Sequence, residues 1–192
     1  MPTTLLPSRR TVVFGMAVVP AALGIAAPAF CVSNNIEKSK QSGPDGLTDT
    51  AEVIHQEITF RAPPHAVYEA LTSSQQFDAI TRLSDAVTLV TAAGAKPTSI
   101  SREVGGPFTL FGGYITGRNL ELLGDERLVQ SWRAGGWKAG DYSIVKFVLL
   151  ASGAETNLVF DHRGFPEGEG KHLARGWYTH YWEPLAKYLA QH

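Results

Sequence analysis

The chain has 192 residues, 44% of them hydrophobic and 18% charged, which suffices for one domain with a substantial core but not for two. Lys and Arg (17) nearly balance Asp and Glu (18), so a net charge of -1 supplies no basic field for nucleic acid. The single cysteine, Cys31, excludes an internal disulfide and a Cys-rich metal site, and its place near the N-terminus argues against a cysteine nucleophile.

The first thirty residues carry Arg9 and Arg10 within "SRRTVVFG", followed by an uncharged apolar run from Val12 to Phe30. That is the layout of an export signal, and the arginine pair resembles the twin-arginine type. Gly15, Pro20, Gly24 and Pro28 keep the run only moderately hydrophobic, and Ala27-Pro28-Ala29 supplies a small-residue cleavage site. Residues 1–29 are therefore expected to be a twin-arginine-like signal peptide, with the twin-arginine export machinery as a partner and the periplasm as the destination. An uncleaved membrane anchor is the alternative, which two prolines in so short a run disfavour. Residues 30–50 are polar and rich in Ser, Asn, Gly and Asp without an apolar period, the composition of a flexible linker. The folded part is expected over 51–192.

"AEVIHQEITFRAPP" alternates in the manner of a strand and stops at Pro63-Pro64. "PPHAVYEALTSSQQFDAI" then predicts a helix with a proline in its first turn, a break at Thr72-Ser73-Ser74 and a second short helix carrying Phe77 and Ile80. Six β-favouring runs follow without an intervening helix: "TSISREV", "PFTLFGG", "YITGRNLELL", "RLVQSWR", "YSIVKFVLLA" and "ETNLVFDHR". Turns such as "LLGDER" and "SGAE" separate them, so the sheet is expected to be antiparallel. Leu173, Trp177, Tyr181, Leu185, Tyr188 and Leu189 form a helical stripe, which predicts one long amphipathic C-terminal helix. The order β, α, α, six β, α gives an α+β fold in which a curved antiparallel sheet of six to seven strands wraps round the terminal helix.

The glycine and aromatic pattern of "GGPFTLFGGYITGRNLELLGDERLVQSWR", with Trp137 and the "GW" and "YW" of the last helix, resembles the START-like (SRPBCC) helix-grip family. Within it, the likeness is to the branch matching the C-terminal domain of activators of the 90-kDa heat-shock protein ATPase. It covers about Val53 to Leu189. The resemblance implies a helix-grip fold and leaves function open among lipid carriers, receptors, cyclases and co-chaperone domains.

Read physically, Gly105-Gly106 and Gly112-Gly113 are places where a bent sheet needs tight turns. No phosphate-binding glycine loop, nucleophile elbow or H-E-x-x-H motif occurs, so no cofactor is expected. His162, His172 and His180 lie close in sequence, but His172 and His180 stand about 80° apart round a helix and Asp161 points away from His162 on a strand. No metal is expected either. The inward face of the sheet should carry Phe108, Leu110, Trp132, Phe147, Leu158, Phe160 and His162, meeting Trp177 and Tyr181 of the last helix. These residues either line a hollow for a small hydrophobic or aromatic ligand, or fill a dry core. His162 with Glu183 or Tyr181 is the one acid-base pair that an enzyme of cyclase or hydrolase type could use.

The leading expectation is an exported, non-enzymatic START-like domain that binds a small hydrophobic ligand between sheet and terminal helix. A chaperone partner is the alternative that the resemblance implies. Replacing Arg9 and Arg10 together with lysine should abolish accumulation of the protein in the periplasm, measured by cell fractionation; undiminished accumulation would refute the twin-arginine reading.

Overall fold

The computed structural model describes residues 53–192. The signal peptide expected over 1–29, the linker over 30–50 and Cys31 all lie outside the described residues. Strand β1 (Val53–Phe60) leads into helices α1 (Pro64–Thr72), α2 (Ser74–Thr81) and α3 (Val87–Thr91). The rest of the sheet follows as β2 (Ser99–Ile100), β3 (Pro107–Leu110), β4 (Ile115–Leu123), β5 (Arg127–Ala134), β6 (Ser143–Ser152) and β7 (Glu155–Arg163). All pairings are antiparallel, in the order β1-β7-β6-β5-β4-β3-β2. The helices α1 to α3 carry the chain from one edge of this sheet to the other.

The strands form because their side chains alternate between an apolar face and a wetter one. In β6, Ser143, Val145, Phe147 and Leu149 are buried while Ile144 and Leu150 are exposed. In β7, Thr156, Leu158, Phe160 and His162 are buried with outward-facing residues between them. The apolar face packs on a C-terminal helix built from α4 (Gly170–Trp177), a π-helical turn (Tyr178–Trp182) and α5 (Glu183–Leu189). This is the α+β helix-grip arrangement that the sequence predicts.

Three local departures have physical causes. The sequence reads "TSISREV" as a strand, yet only Ser99 and Ile100 pair with β3. The chain then turns, because buried Asn119 takes over its polar groups: its Nδ2 donates to the Ser101 carbonyl at 2.6 Å, and its backbone bonds Gly105 and Gly106. Arg102 also pairs with Glu69 of α1, which draws the turn away from the sheet edge. Helix α3 has no counterpart in the sequence reading, since Val87, Thr88, Val90 and Thr91 are β-branched and poor helix formers. The terminal helix is also not continuous. Pro184 has no N–H to donate to the His180 carbonyl, and the π-turn just before it absorbs the misfit, with the Glu183 N–H reaching the Tyr178 carbonyl instead. One extra residue per turn brings adjacent Tyr181 and Trp182 both into the core.

The short helix α3 is seated by the turn after β3. Phe111, Gly112 and Gly113 all have positive φ (51°, 69° and 97°), a backbone path that points the Phe111 ring inward against Phe77 and Tyr181. A Cβ on Gly112 would lie 2.2 Å from the Leu89 carbonyl oxygen of α3, so the helix sits directly on a glycine backbone. Gly112→Ala is expected to cost about 2–4 kcal/mol through backbone strain and displacement of α3. Gly136→Ala, where a Cβ meets nothing within 4 Å, should change stability by less than about 0.5 kcal/mol. Denaturant unfolding of the two variants checks both values.

Candidate functional site

Deep between the sheet and the helix, a chain of hydrogen bonds joins four side chains or backbone groups. The Trp177 indole N–H of α4 donates to His162 Nδ1 at 3.0 Å. His162 Nε2 lies 2.7 Å from Ser143 Oγ, and that hydroxyl donates to the Trp132 carbonyl at 3.1 Å. Because the serine proton is committed to the carbonyl, Ser143 must accept from His162, which fixes the ring as the Nε2–H tautomer. His162 is fully buried, and desolvation lowers its pKa to about 3, so it is neutral at physiological pH. Both ring nitrogens are occupied. The acid-base pairing of His162 with Glu183 that an enzyme reading would use is not assembled, since Glu183 is exposed at the start of α5. Nor does His162 hydrogen-bond Tyr181: its Nδ1 is taken by Trp177 and its Nε2 by Ser143.

A second clamp sits further along the helix. Trp182 Nε1 donates to Gln56 Oε1 at 2.7 Å, and Gln56 Nε2 donates to the Ala174 carbonyl at 3.0 Å, so one β1 side chain bridges both halves of the helix.

On the other side of Trp177 the packing opens into a cavity of about 330 Å³. Its walls come from α3 (Ala86, Leu89), the Phe111 turn, β4 and β5 (Ile115, Trp132, Ala134), Trp137 and the inner face of the terminal helix. Trp132 leans on Trp137 and Trp177 at ring-centroid distances of 5.4 and 5.5 Å, and Tyr181 on Trp177 at 4.1 Å. Among the described residues, three that line the cavity also carry a buried polar atom without a hydrogen-bond partner: Trp132 Nε1, Tyr181 Oη and His180 Nδ1. Burial raises the Tyr181 pKa; the facing Trp132 indole offsets this only in part and lies outside hydrogen-bonding geometry, so the phenol stays protonated. Burial lowers the His180 pKa, against the nearby Asp85 carboxylate. Charged side chains, Glu169 and Arg175, reach only the rim.

Of the nine residues expected from the sequence to contact a ligand, the structure brings Trp132, Trp177 and Tyr181 to the cavity. Phe108, Leu110, Phe147, Leu158 and Phe160 do face inward, but they are buried in the core elsewhere along the sheet. His162 lies behind Trp177 in the polar chain. The sequence reading missed Ala86, Leu89, Phe111 and His180. The one available signal was "FGG" after a strand, where paired glycines mark a turn able to seat another element on the backbone. His172 and His180 both reach the cavity wall, but no group of three His, Cys, Asp or Glu side chains suited to a metal ion occurs among the described residues.

A bent antiparallel sheet closed over a C-terminal helix, with a cavity between them, defines a helix-grip domain. Residues 61–190 match the family model described as Activator of Hsp90 ATPase homolog 1-like protein, and the chain belongs to that family. It is 24% identical over 145 residues to the activator of 90 kDa heat shock protein ATPase homolog 1 of Homo sapiens, covering 76% of this chain and 39% of the relative. A match to a Dictyostelium discoideum homolog of that activator is 27% identical and covers 67% of this chain and 30% of the relative. The chain thus spans well under half the length of these relatives. Among solved structures, an HSP90 activator from Plasmodium falciparum superposes with a TM-score of 0.62 at 22% identity, covering 72% of this chain and 96% of that one. CalU16 from Micromonospora echinospora superposes with a TM-score of 0.57 at 21% identity, covering 73% and 77%.

The neutral, buried His162 makes stability pH-dependent. Its folded pKa is depressed below the ordinary 6.5, so acid protonates the unfolded chain first and pulls the equilibrium toward it. The stability is fully present above about pH 6.5 and falls as the pH drops toward 3, by about 1.4 kcal/mol per pH unit. His162→Gln keeps an acceptor for Trp177 and a donor for Ser143 but cannot titrate. Urea unfolding between pH 8 and 4.5 should show the wild type losing about 2.7 kcal/mol more than the variant; parallel losses would refute the assignment.

Proposed function

We propose that this chain is an exported helix-grip domain that binds a small hydrophobic or aromatic molecule in the cavity between α3, the sheet and the C-terminal helix. The observation that carries the reading is the cavity itself, walled mainly by the apolar and aromatic side chains of Leu89, Phe111, Ile115, Trp132, Trp177 and Tyr181. A cavity near 330 Å³ also falls at the lower end of the range for ligand sites, about 300–1,000 Å³. Export rests on the Arg9-Arg10 pair and the apolar run after it.

A second reading, contact with a chaperone ATPase, draws on the relatives named as activators. It predicts that the purified chain stimulates ATP hydrolysis by a 90-kDa heat-shock chaperone, with or without an occupied cavity.

Ala134→Leu separates the cavity reading from a filled core. In a filled core the added bulk should cost about 1–3 kcal/mol. With an open cavity, the variant should unfold within about 0.5 kcal/mol of wild type and lose binding of the neutral fluorescent probe N-phenyl-1-naphthylamine by at least tenfold. An overpacking penalty, with no saturable probe binding by the wild type, would overturn the proposal.

A further inference from the structure

Most glycines of this fold have a backbone reason to be where they are. A Cβ on Gly112 or Gly117 would stand 2.2 or 2.0 Å from a main-chain carbonyl oxygen, and Gly140, Gly153 and Gly168 hold a positive φ. Gly176 has neither reason. It lies within the continuous run of α4, the π-turn and α5, where Trp177 and Tyr178 keep helical angles (φ -58° and -64°), so it caps no helix end. A Cβ built on it would meet only the edge of the His180 ring, at 4.0 Å. Alanine would therefore fit, and a glycine inside a helix raises the unfolding equilibrium constant about two- to fivefold over alanine. Packing does not account for that cost.

The cavity does. His172, Gly176 and His180 stand at four-residue intervals on one flank of the helix, and all three line the cavity. Between the two imidazoles the missing side chain leaves a notch, and its floor is the helix backbone. Gly176 is partly exposed, so this floor can be reached. A position without a Cβ is one where a ligand can come into van der Waals contact with the main chain. A flat ring lays its whole face on such a floor at about 3.5–4.0 Å, whereas the axial hydrogens of a saturated ring hold it off. The walls around the remaining space, Phe111, Trp132, Trp177 and Tyr181, are themselves rings, and about 330 Å³ suits a compact ring system better than an extended chain.

Building on the cavity reading above, we infer that Gly176 determines what the cavity admits: a flat, fused-ring molecule whose face lies on the helix backbone in the notch between His172 and His180.

The test uses 2-naphthol and decahydro-2-naphthol, which share a bicyclic skeleton and a hydroxyl and differ in thickness. Affinities are read from displacement of N-phenyl-1-naphthylamine bound to the full chain. The wild type should bind 2-naphthol about tenfold or more the tighter of the two. Gly176→Ala places one methyl in the notch and should weaken 2-naphthol by about tenfold or more. In urea the same variant should lower the unfolding equilibrium constant about two- to fivefold, so stability and affinity move in opposite directions. A glycine serving only the helix or the π-turn would not give that pattern. Loss of stability in Gly176→Ala, or a stabilised variant with unchanged 2-naphthol affinity, overturns the role of Gly176 while the cavity reading stands on the wild type's binding. Equal wild-type affinity for the two alcohols overturns the flat-ring class. Failure of the wild type to bind N-phenyl-1-naphthylamine or either alcohol overturns the cavity reading and this inference with it.

Discussion

One hydrogen bond, from the Trp177 indole N–H to His162 Nδ1, sets how the C-terminal helix lies in the sheet. A helix against an apolar sheet face can slide at little cost, because dispersion contacts are non-directional and are replaced as they are lost. A buried polar pair cannot slide, because separation strands both groups in a low-dielectric interior. His162 is itself fixed by Ser143, and Ser143 by the Trp132 carbonyl, so the bond ties α4 to three neighbouring strands at once. The Gln56 clamp does the same for the far half of the helix through Trp182. With depth and rotation fixed at both points, the space left over on the remaining side is determined. That space is the cavity.

The π-turn is the complement of this anchoring. Pro184 breaks the regular ladder, and the wider turn brings Tyr181 and Trp182, consecutive residues, into the core together. In an unbroken helix they would stand about 100° apart, and only one would face the sheet squarely. Trp182 completes the clamp on Gln56, while Tyr181 closes the cavity beside Trp132. A single irregularity thus supplies a structural anchor and a cavity wall from adjacent positions, consistent with the tendency of π-bulges to occur where backbone regularity yields to a site.

The fold was largely legible because its strongest signals are local. Alternation in "YSIVKFVLLA" and "ETNLVFDHR" marks which residues face inward, and β6 and β7 pair as that alternation requires. The stripe from Leu173 to Leu189 marks the helix, although its period conceals the extra residue of the π-turn, for which Pro184 was the only sign. Helix α3 was illegible: Val, Thr and Leu in "VTLVT" favour strand by intrinsic preference, and the helix exists because it can sit on the Gly112 backbone, a contact across more than twenty residues. For the candidate site the same division holds. Inward-facing aromatics could be recognised, but alternation says which face a residue is on and nothing of how far along that face a cavity lies. Trp132 reaches the cavity; Phe147, directly across the next strand from Leu128, faces the same way and is core.

The polar groups of this aromatic cluster divide into two sets, and the division bears on what chemistry the interior can support. His162, the group best suited to move protons, is withdrawn from exchange: it is neutral, fixed in one tautomer, and bonded at both nitrogens. Of the proton-bearing groups left without partners, the Trp132 indole does not ionise and Tyr181 is held by burial as the neutral phenol. Low dielectric makes such donors strong hydrogen-bonding partners and poor acids in the same stroke, since it favours a bond to a neutral acceptor and penalises the anion that proton loss would leave. On the proposed reading, the interior holds a neutral molecule by its shape, which the surrounding rings supply.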